Sequence, residues 1–451
     1  MYRKIIDKLK NKNVAILGFG KEGISTYNFL RKYLDNQVFT IVDKNENIKS
    51  LEILKNDNNL NYIVGDNYLD NLEQFDLIIK TPGISFKNLD ITNIRSKITS
   101  QLELLLEVNK QNVIGVTGTK GKSTTSSLLY EVFKINSKKV FLLGNIGNPI
   151  FDDIEKYDDE TTLIVEMSSH QLEFIDVSPH TGIILNLFED HLDHAGSVKH
   201  YHECKLNMFK YQNDKDNLIY CSDNETLNNY VSNNDYIATK YSVSLSDKAI
   251  IYLDNGNVIY NNKVVYDINQ KRNLLGNHNL ENIMVVLLVS DLYNLDLDKS
   301  IEAINNFKTL SHRLELVGTY NDITYYDDAI ATIPSATINA IESLKNVDTL
   351  IFGGMDRGIE YKELIDYLEK CNVKNLICMP TTGYKIGDIL KGKNIDKNIF
   401  KIELLEDAVN KAKEVTGKGK ICLLSPAASS YEYYKNFEEK GNAFKQFVKE
   451  E

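Results

Sequence analysis

Two stretches of this sequence place glycine where phosphate could be held. In Thr117-Gly118-Thr119-Lys120-Gly121-Lys122-Ser123-Thr124, Gly118 and Gly121 let successive backbone amides turn inward as an anion nest. Lys122 has the reach for β- and γ-phosphates, and Ser123 offers a hydroxyl to Mg²⁺. The G-x-x-x-x-G-K-[ST] spacing fails, because position 116 is Val, but the chemistry of a nucleoside-triphosphate loop survives. The other stretch, Gly18-Phe19-Gly20-Lys21-Glu22-Gly23, matches G-x-G-x-x-G, and Asp43 follows 43 − 23 = 20 residues later. Such a loop holds a diphosphate against a helix N-terminus. A nicotinamide oxidoreductase is one reading of it. A triphosphate loop later in the chain makes that reading awkward and favours a substrate's diphosphate at Gly18, Gly20 and Gly23.

Carboxylates and imidazoles follow the second loop. Glu166 ends the apolar run Leu163-Ile164-Val165, and Glu189-Asp190-His191-Leu192-Asp193-His194 packs three acids and two histidines into six residues. Acids at strand ends beyond a phosphate loop suit Mg²⁺. Zinc is disfavoured, since neither a thiolate nor a third histidine accompanies the pair. A solvated loop is the alternative for the second group. Lys205 would lie near this cluster if its helix packs back over the strand end, although a lone helical lysine is ordinarily solvated. Further on, Gly353-Gly354-Met355-Asp356-Arg357-Gly358 could turn amides or Arg357 toward an anion. Arg313 reads equally as a bidentate phosphate ligand or a surface ion pair.

These residues need elements to position them. Short Val/Ile/Leu runs, among them Val14–Leu17, Val113–Thr117 and Ile421–Leu424, alternate with longer amphipathic stretches. That pattern reads as buried parallel strands alternating with helices, an α/β chain of several open sheets. Helices are expected over 24–32, 124–134, 201–211 and 299–307. The Asn- and Tyr-rich residues 213–273, with Asp254-Asn255-Gly256-Asn257 as a hairpin turn, read as a small antiparallel patch. Breaks near 99–101 and 309–311 divide the chain into domains 1–100, 101–309 and 310–451.

Composition bounds the rest. The 451 residues allow roughly three domains at about 150 residues each. A net charge of −11 without a basic arm argues against non-specific nucleic-acid binding. Five scattered cysteines (Cys204, Cys221, Cys371, Cys378, Cys422) argue against a disulfide framework or a zinc ribbon. Neither a signal-peptide core nor a membrane span is evident, so a soluble cytoplasmic protein is expected.

The motifs 117–124, Glu166 before Ser168-Ser169, His191, His278-Asn279-Leu280-Glu281-Asn282 and His312-Arg313 occur in the order found in the Mur ligase family. These are the ATP-dependent amino-acid ligases of peptidoglycan precursor synthesis, which the chain resembles over nearly its whole length. Ser425-Pro426-Ala427-Ala428-Ser429-Ser430 and Lys435-Asn436-Phe437-Glu438-Glu439-Lys440-Gly441 resemble the branch that adds glutamate to UDP-N-acetylmuramoyl-L-alanine. The resemblance implies a Rossmann-like UDP-binding domain, a central ATPase domain and a C-terminal Rossmann-like amino-acid domain, working as a monomer without membrane or nucleic acid. It implies an acyl phosphate made from ATP and attacked by the glutamate amine.

By position, the resemblance assigns Gly118, Thr119, Lys120, Gly121, Lys122, Ser123, Thr124, Asn282, Arg313 and Asp328 to the nucleotide. Lys122, Glu166, His191 and Lys205 become catalytic. Ser123, Glu166, His191 and an N6-carboxylated Lys205 serve Mg²⁺. Gly18, Gly20, Gly23, Asp43 and Asn145 fall to the UDP substrate, and Thr332, Arg357, Ser430 and Phe437 to glutamate. Lys120 stands in place of the usual Asn, Ile330 in place of a common Lys, Arg357 in place of another Lys, and Asp43 lacks the usual Thr-Arg after it. The runs 117–123, Ala331-Thr332-Ile333-Pro334 and Asp356-Arg357-Gly358 also resemble a variant branch that adds L-glutamate; the C-terminal run favours D-glutamate. A catalytically dead nucleotide-sugar-binding regulator and a folylpolyglutamate synthase-like ligase are the remaining alternatives. The regulator would lack Lys122, Glu166 or Lys205, all of which are present, and the folate-type enzyme begins with its ATPase.

Overall fold

The computed structural model describes residues 1–87, 89–189, 196–393, 395–431 and 433–450, with the backbone alone of His278. His191 therefore lies outside the described residues. The chain forms two compact units, residues 1–270 with 280–304, and residues 271–279 with 305–451.

The first unit carries two sheets. Strands β1 (Val14–Leu17), β2 (Phe39–Asp43), β3 (Leu60–Val64), β4 (Leu77–Lys80) and β5 (Ile98–Thr99) pair in parallel in the order β3-β2-β1-β4-β5. The second sheet comprises β6 (Val113–Thr117), β7 (Val140–Gly144), β8 (Thr162–Glu166), β9 (Thr181–Ile184), β10 (Asn217–Cys221), β11 (Thr239–Ser244), β12 (Ile251–Asp254), β13 (Asn257–Tyr260) and β14 (Lys263–Asp267). Its order is β14-β13-β12-β11-β10-β9-β6-β8-β7. Both glycine loops leave interior strands, β1 and β6, beside the points where the strand order reverses. There the carboxyl ends of parallel strands leave a crevice for ligands.

β6 is buried at every position, as a central parallel strand covered on both faces must be. The segment expected as an antiparallel patch is only partly so. β10 and β11 continue the parallel sheet, and antiparallel pairing begins at β12 and β13 around the Asn255-Gly256 turn. The helix Val198–Lys210 lies between β9 and β10 and returns the chain parallel, whereas the short Asn255-Gly256 turn reverses it.

One apolar cluster runs from Ile5, Phe29 and Leu105 to Leu143, Leu163 and Leu227, which is why these two sheets form one compact body. The Phe29 and Phe151 rings meet at 4.5 Å, and Gln101 Nε2 donates to Glu22 O and Thr26 Oγ1 at 3.0 and 2.9 Å.

The second unit holds β15 (Glu315–Tyr320), β16 (Ile323–Asp327), β17 (Val347–Phe352), β18 (Asn375–Cys378), β19 (Asn398–Lys401) and β20 (Ile421–Leu424), ordered β15-β16-β20-β17-β18-β19. Among the described residues only β15 is antiparallel in it.

The helices expected over 24–32, 124–134, 201–211 and 299–307 are present as Lys21–Tyr33, Lys122–Ile135, Val198–Lys210 and Leu297–Asn306. All five cysteines are free; Cys371 is half-buried and the others are buried. No described helix is long and apolar enough to cross a membrane.

Candidate active site

The loop after β6 turns directly into the helix Lys122–Ile135, whose N-cap, Gly121, has φ +86°. That left-handed conformation strains any residue with a Cβ. A Cβ at Gly121 would also lie 2.9 Å from Asn282 Oδ1 and Leu185 Cδ1. The loop is held open from beneath: Thr119 N donates to Asn186 O at 3.0 Å, Lys120 N to Asn186 Oδ1 at 2.8 Å, and Asn186 Nδ2 to Lys120 O at 3.2 Å. Asn282 reaches the same helix from another, its Oδ1 accepting from Thr125 Oγ1 at 3.0 Å. Thr124 is buried, Ser123 half-buried and Lys120 exposed, with Lys120 Nζ 5.8 Å from the Phe188 ring centroid.

Two lysines converge on one carbonyl of this loop. Lys122 Nζ donates to Gly118 O at 2.8 Å and to Thr119 O at 3.0 Å. Lys205 Nζ donates to Gly118 O at 3.0 Å. Lys205 is only 1% exposed and lies 4.7 Å from the Tyr201 ring centroid. It occupies the apolar stripe Tyr201, Lys205, Met208, Phe209 of its helix, so the helix does pack back over the strand ends.

Beside the loop, β8 pairs with β6 in the register Val116↔Glu166, which brings Glu166 level with the base of the loop. Glu166 is buried; its Oε1 accepts from Asn145 Nδ2 at 2.8 Å, while Oε2 accepts no hydrogen bond among the described residues. An uncompensated buried carboxylate oxygen costs free energy. A divalent cation would supply the missing partner, so this donor set fits Mg²⁺.

The first loop is built differently. Gly18, at φ +90°, lies so close to Thr81 that a Cβ would collide with Thr81 Oγ1. Gly20 is the N-cap of the helix Lys21–Tyr33, and Gly23 lies in its first turn. Asp43 clamps the loop through its backbone: Oδ2 accepts from Phe19 N and Oδ1 from Asn45 N, both at 2.7 Å.

In the second unit, β16, β20 and β17 lie side by side; the segments leaving their carboxyl ends carry Asp328, Thr332, Arg357, Ser430 and Phe437, while Arg313 precedes β15. Asp328 is buried; Ser425 Oγ donates to it at 2.8 Å and Leu314 N at 3.2 Å. Burial pushes its carboxyl up to about 7, against the pull of these hydrogen bonds and of Arg313. His312, on the turn beside Arg313, pairs through Nδ1 with Asp327 Oδ2 at 2.7 Å and meets the Phe437 ring at 6.1 Å. Ser430 Oγ is buried without a hydrogen-bond partner among the described residues. Thr332 is half-buried, and Arg357 is exposed. Its loop is fastened beside Ser430 by Met355 N donating to Ser429 O at 2.9 Å, and no hydrogen bond or ion pair ties the Arg357 side chain to the described residues.

Three residues were missed. Asn186 is the brace of the triphosphate loop, Lys80 ends β4 4% exposed, and Lys440 is 3% exposed with Nζ donating to Gly353 O at 2.9 Å. A signal existed for both lysines. Lys80 follows Leu77-Ile78-Ile79, and Lys440 stands four and eight residues before Phe444 and Val448, on the buried face of its helix.

Family models place this geometry. The Mur ligase middle domain matches residues 116–290, the Mur ligase MurD-like N-terminal domain residues 12–100, and the Mur ligase glutamate ligase domain residues 312–428. Among curated proteins, the UDP-N-acetylmuramoylalanine–D-glutamate ligase of Clostridioides difficile (strain 630) is 33% identical over 448 residues, covering 98% of this chain and 99% of that protein. The protein of the same name from Acetivibrio thermocellus is 32% identical over 457 residues, covering 98% and 97%. Among solved structures, the UDP-N-acetylmuramate-alanine ligase MurC of Thermotoga maritima superposes with a TM-score of 0.58 at 18% identity, covering 97% of this chain and 99% of that one. MurF ligase from the same organism, in complex with ADP, gives 0.60 at 17%, covering 98% and 96%.

Proposed function

The chain belongs to the Mur ligase family, and we propose that it joins D-glutamate to UDP-N-acetylmuramoyl-L-alanine with hydrolysis of ATP, as a cytoplasmic monomer in peptidoglycan precursor synthesis. The relatives' shared name supports the substrates. The observation that carries the chemistry is the convergence of Lys122 and Lys205 on Gly118 O beside the unsatisfied Glu166 oxygen.

The UDP moiety lies on Gly18, Gly20, Gly23 and Asp43, and Asn145 contacts the same substrate. The amides of residues 118–124 cradle the ATP phosphates. When a phosphate enters, Lys122 exchanges its two loop carbonyls for phosphoryl oxygens and offsets charge on the transferring group. Ser123, Glu166, His191 and an N6-carboxylated Lys205 would hold Mg²⁺, which supplies electrostatic stabilisation to the phosphoryl oxygens. Asn282, Arg313 and Asp328 hold the nucleotide; Thr332, Arg357, Ser430 and Phe437 hold glutamate.

A substrate carboxylate oxygen attacks the γ-phosphorus and ADP leaves, giving the acyl phosphate. The glutamate amine then attacks the acyl carbon, phosphate departs, and the nitrogen loses its proton. Orientation and charge compensation are what the protein contributes to both steps.

Phosphate release with ATP, Mg²⁺ and UDP-N-acetylmuramoyl-L-alanine, run in parallel with D- and with L-glutamate, tests this reading. Release with D-glutamate alone is expected. Release with L-glutamate alone would overturn the enantiomer and make Ile330 and Arg357 specificity residues; silence with both would overturn the enzyme.

A further inference from the structure

Lys80 has no part in the function proposed above. It ends β4, the strand paired directly with β1 in the register Leu17↔Lys80, so it stands level with the residue that precedes the first glycine loop. The next residue, Thr81, donates from Oγ1 to Leu17 O at 3.1 Å and forms the wall against Gly18. Among the described residues Lys80 Nζ makes one hydrogen bond, 3.3 Å to Thr81 O, and it sits 5.8 Å from the Phe86 and 5.3 Å from the Phe174 ring centroid.

The groups that act electrostatically on Lys80 are the carboxyls of Glu22 and Glu173 and the thiol of Cys204. Burial pulls its ammonium down to about 8 while these neighbours hold it up. Glu22, in the first turn of the helix that follows the glycine loop, is pushed up to about 7 by burial, against the pull of Lys80 and a hydrogen bond with Gln171.

This arrangement is a poor solution to a packing problem. A methionine or leucine would lie against the two phenylalanines without the desolvation cost of an ammonium. It is a good solution to an anion-binding problem. Helix N-terminal amides favour a diphosphate, but an acid in that first turn works against one, and a cation beside the acid restores the balance. Lys80 has two N–H donors beyond the one given to Thr81.

We infer that Lys80 is a substrate-binding residue, its ammonium meeting a diphosphate oxygen of the nucleotide-sugar substrate beside the first glycine loop. Glu22 restrains the ammonium while the loop is empty. The inference rests on the assignment of the UDP moiety to this loop.

The test is calorimetric titration of the full-length protein with UDP, with uridine and with UDP-N-acetylmuramoyl-L-alanine, alongside steady-state kinetics. Lys80→Met is expected to weaken UDP and the full substrate at least tenfold, leave uridine unchanged, raise the KM of the nucleotide sugar, and leave the KM of ATP within twofold. Lys80→Arg should recover most of the loss. Glu22→Gln, which keeps the ammonium, should tighten UDP severalfold.

Equal weakening of UDP and uridine by Lys80→Met would overturn the inference in favour of a structural role. Normal UDP binding with loss of the full substrate would overturn it by moving Lys80 to the carboxylate. Unchanged binding of both by a folded Lys80→Met protein would overturn it while the UDP assignment stands. Failure of the unmodified protein to bind UDP would overturn that assignment, and the inference with it.

Discussion

Both glycine loops join the end of a buried parallel strand to the first turn of a helix, yet they differ in where charge comes from. The loop after β6 brings in its own cation, Lys122, which meets Gly118 O beside Lys205 of a packed helix, one of the proposed metal ligands. The loop after β1 sends its own lysine outward, Lys21 being exposed with Nζ 3.3 Å from Gly147 O, and places acids, Glu22 and Asp43, at its two ends. A group that is only bound needs shape and modest charge balance. A group that is transferred gains charge at its oxygens in the transition state, and cations aimed there act on rate. The proposed division, diphosphate on the first loop and transferring phosphoryl on the second, follows that difference.

The sharpest way to break the comparison is Lys122→Ala. Phosphate release should fall by about 10³-fold or more, with UDP affinity by calorimetry unchanged; joint loss would mean the loops do not work separately. Glu166→Gln comes next. Removing the anionic oxygen should lower turnover by about 10²-fold, and raising Mg²⁺ should recover part of it, whereas a purely structural Glu166 would give no metal dependence. Gly18→Ala should cost about 1–3 kcal/mol in urea unfolding and raise the KM of the nucleotide sugar alone. Asp43→Asn should be mildest, about 1 kcal/mol, with UDP affinity falling a few-fold as the clamp on Phe19 N loosens; a tenfold loss would mean Asp43 touches the ligand directly.

The same contrast shows what was legible in the sequence. Strands such as Val113–Thr117 could be read because burial on both faces demands an unbroken apolar run, and the loops because only glycine tolerates their backbone. Lys205 could be assigned only through the family resemblance, since a single lysine in a helix carries no sign of burial unless the apolar positions at Tyr201, Met208 and Phe209 are mapped onto one face. Lys440 is hidden in the same way on its helix, and Lys80 because a charged residue that ends an apolar run, Leu77-Ile78-Ile79, reads as a solvated strand end. The role of Asn186 depends on Lys120, 66 residues away, a proximity that the β9–β6 pairing creates. The extent of the Asn-rich segment was misjudged because strand pairing direction is set by the crossover, not by composition.

The buried cysteines have a practical consequence. Burial pushes the Cys204 and Cys378 thiols up to about 12 and raises Cys221 and Cys422 as well. Disulfide reagents consume thiolate, so these four react only when the surrounding structure opens. Cys204 and Cys221 then time openings of the first unit, Cys378 and Cys422 those of the second, and half-buried Cys371 provides the faster reference. Labelling rates with and without ATP or nucleotide sugar would give, without any engineered probe, a separate opening free energy for each unit.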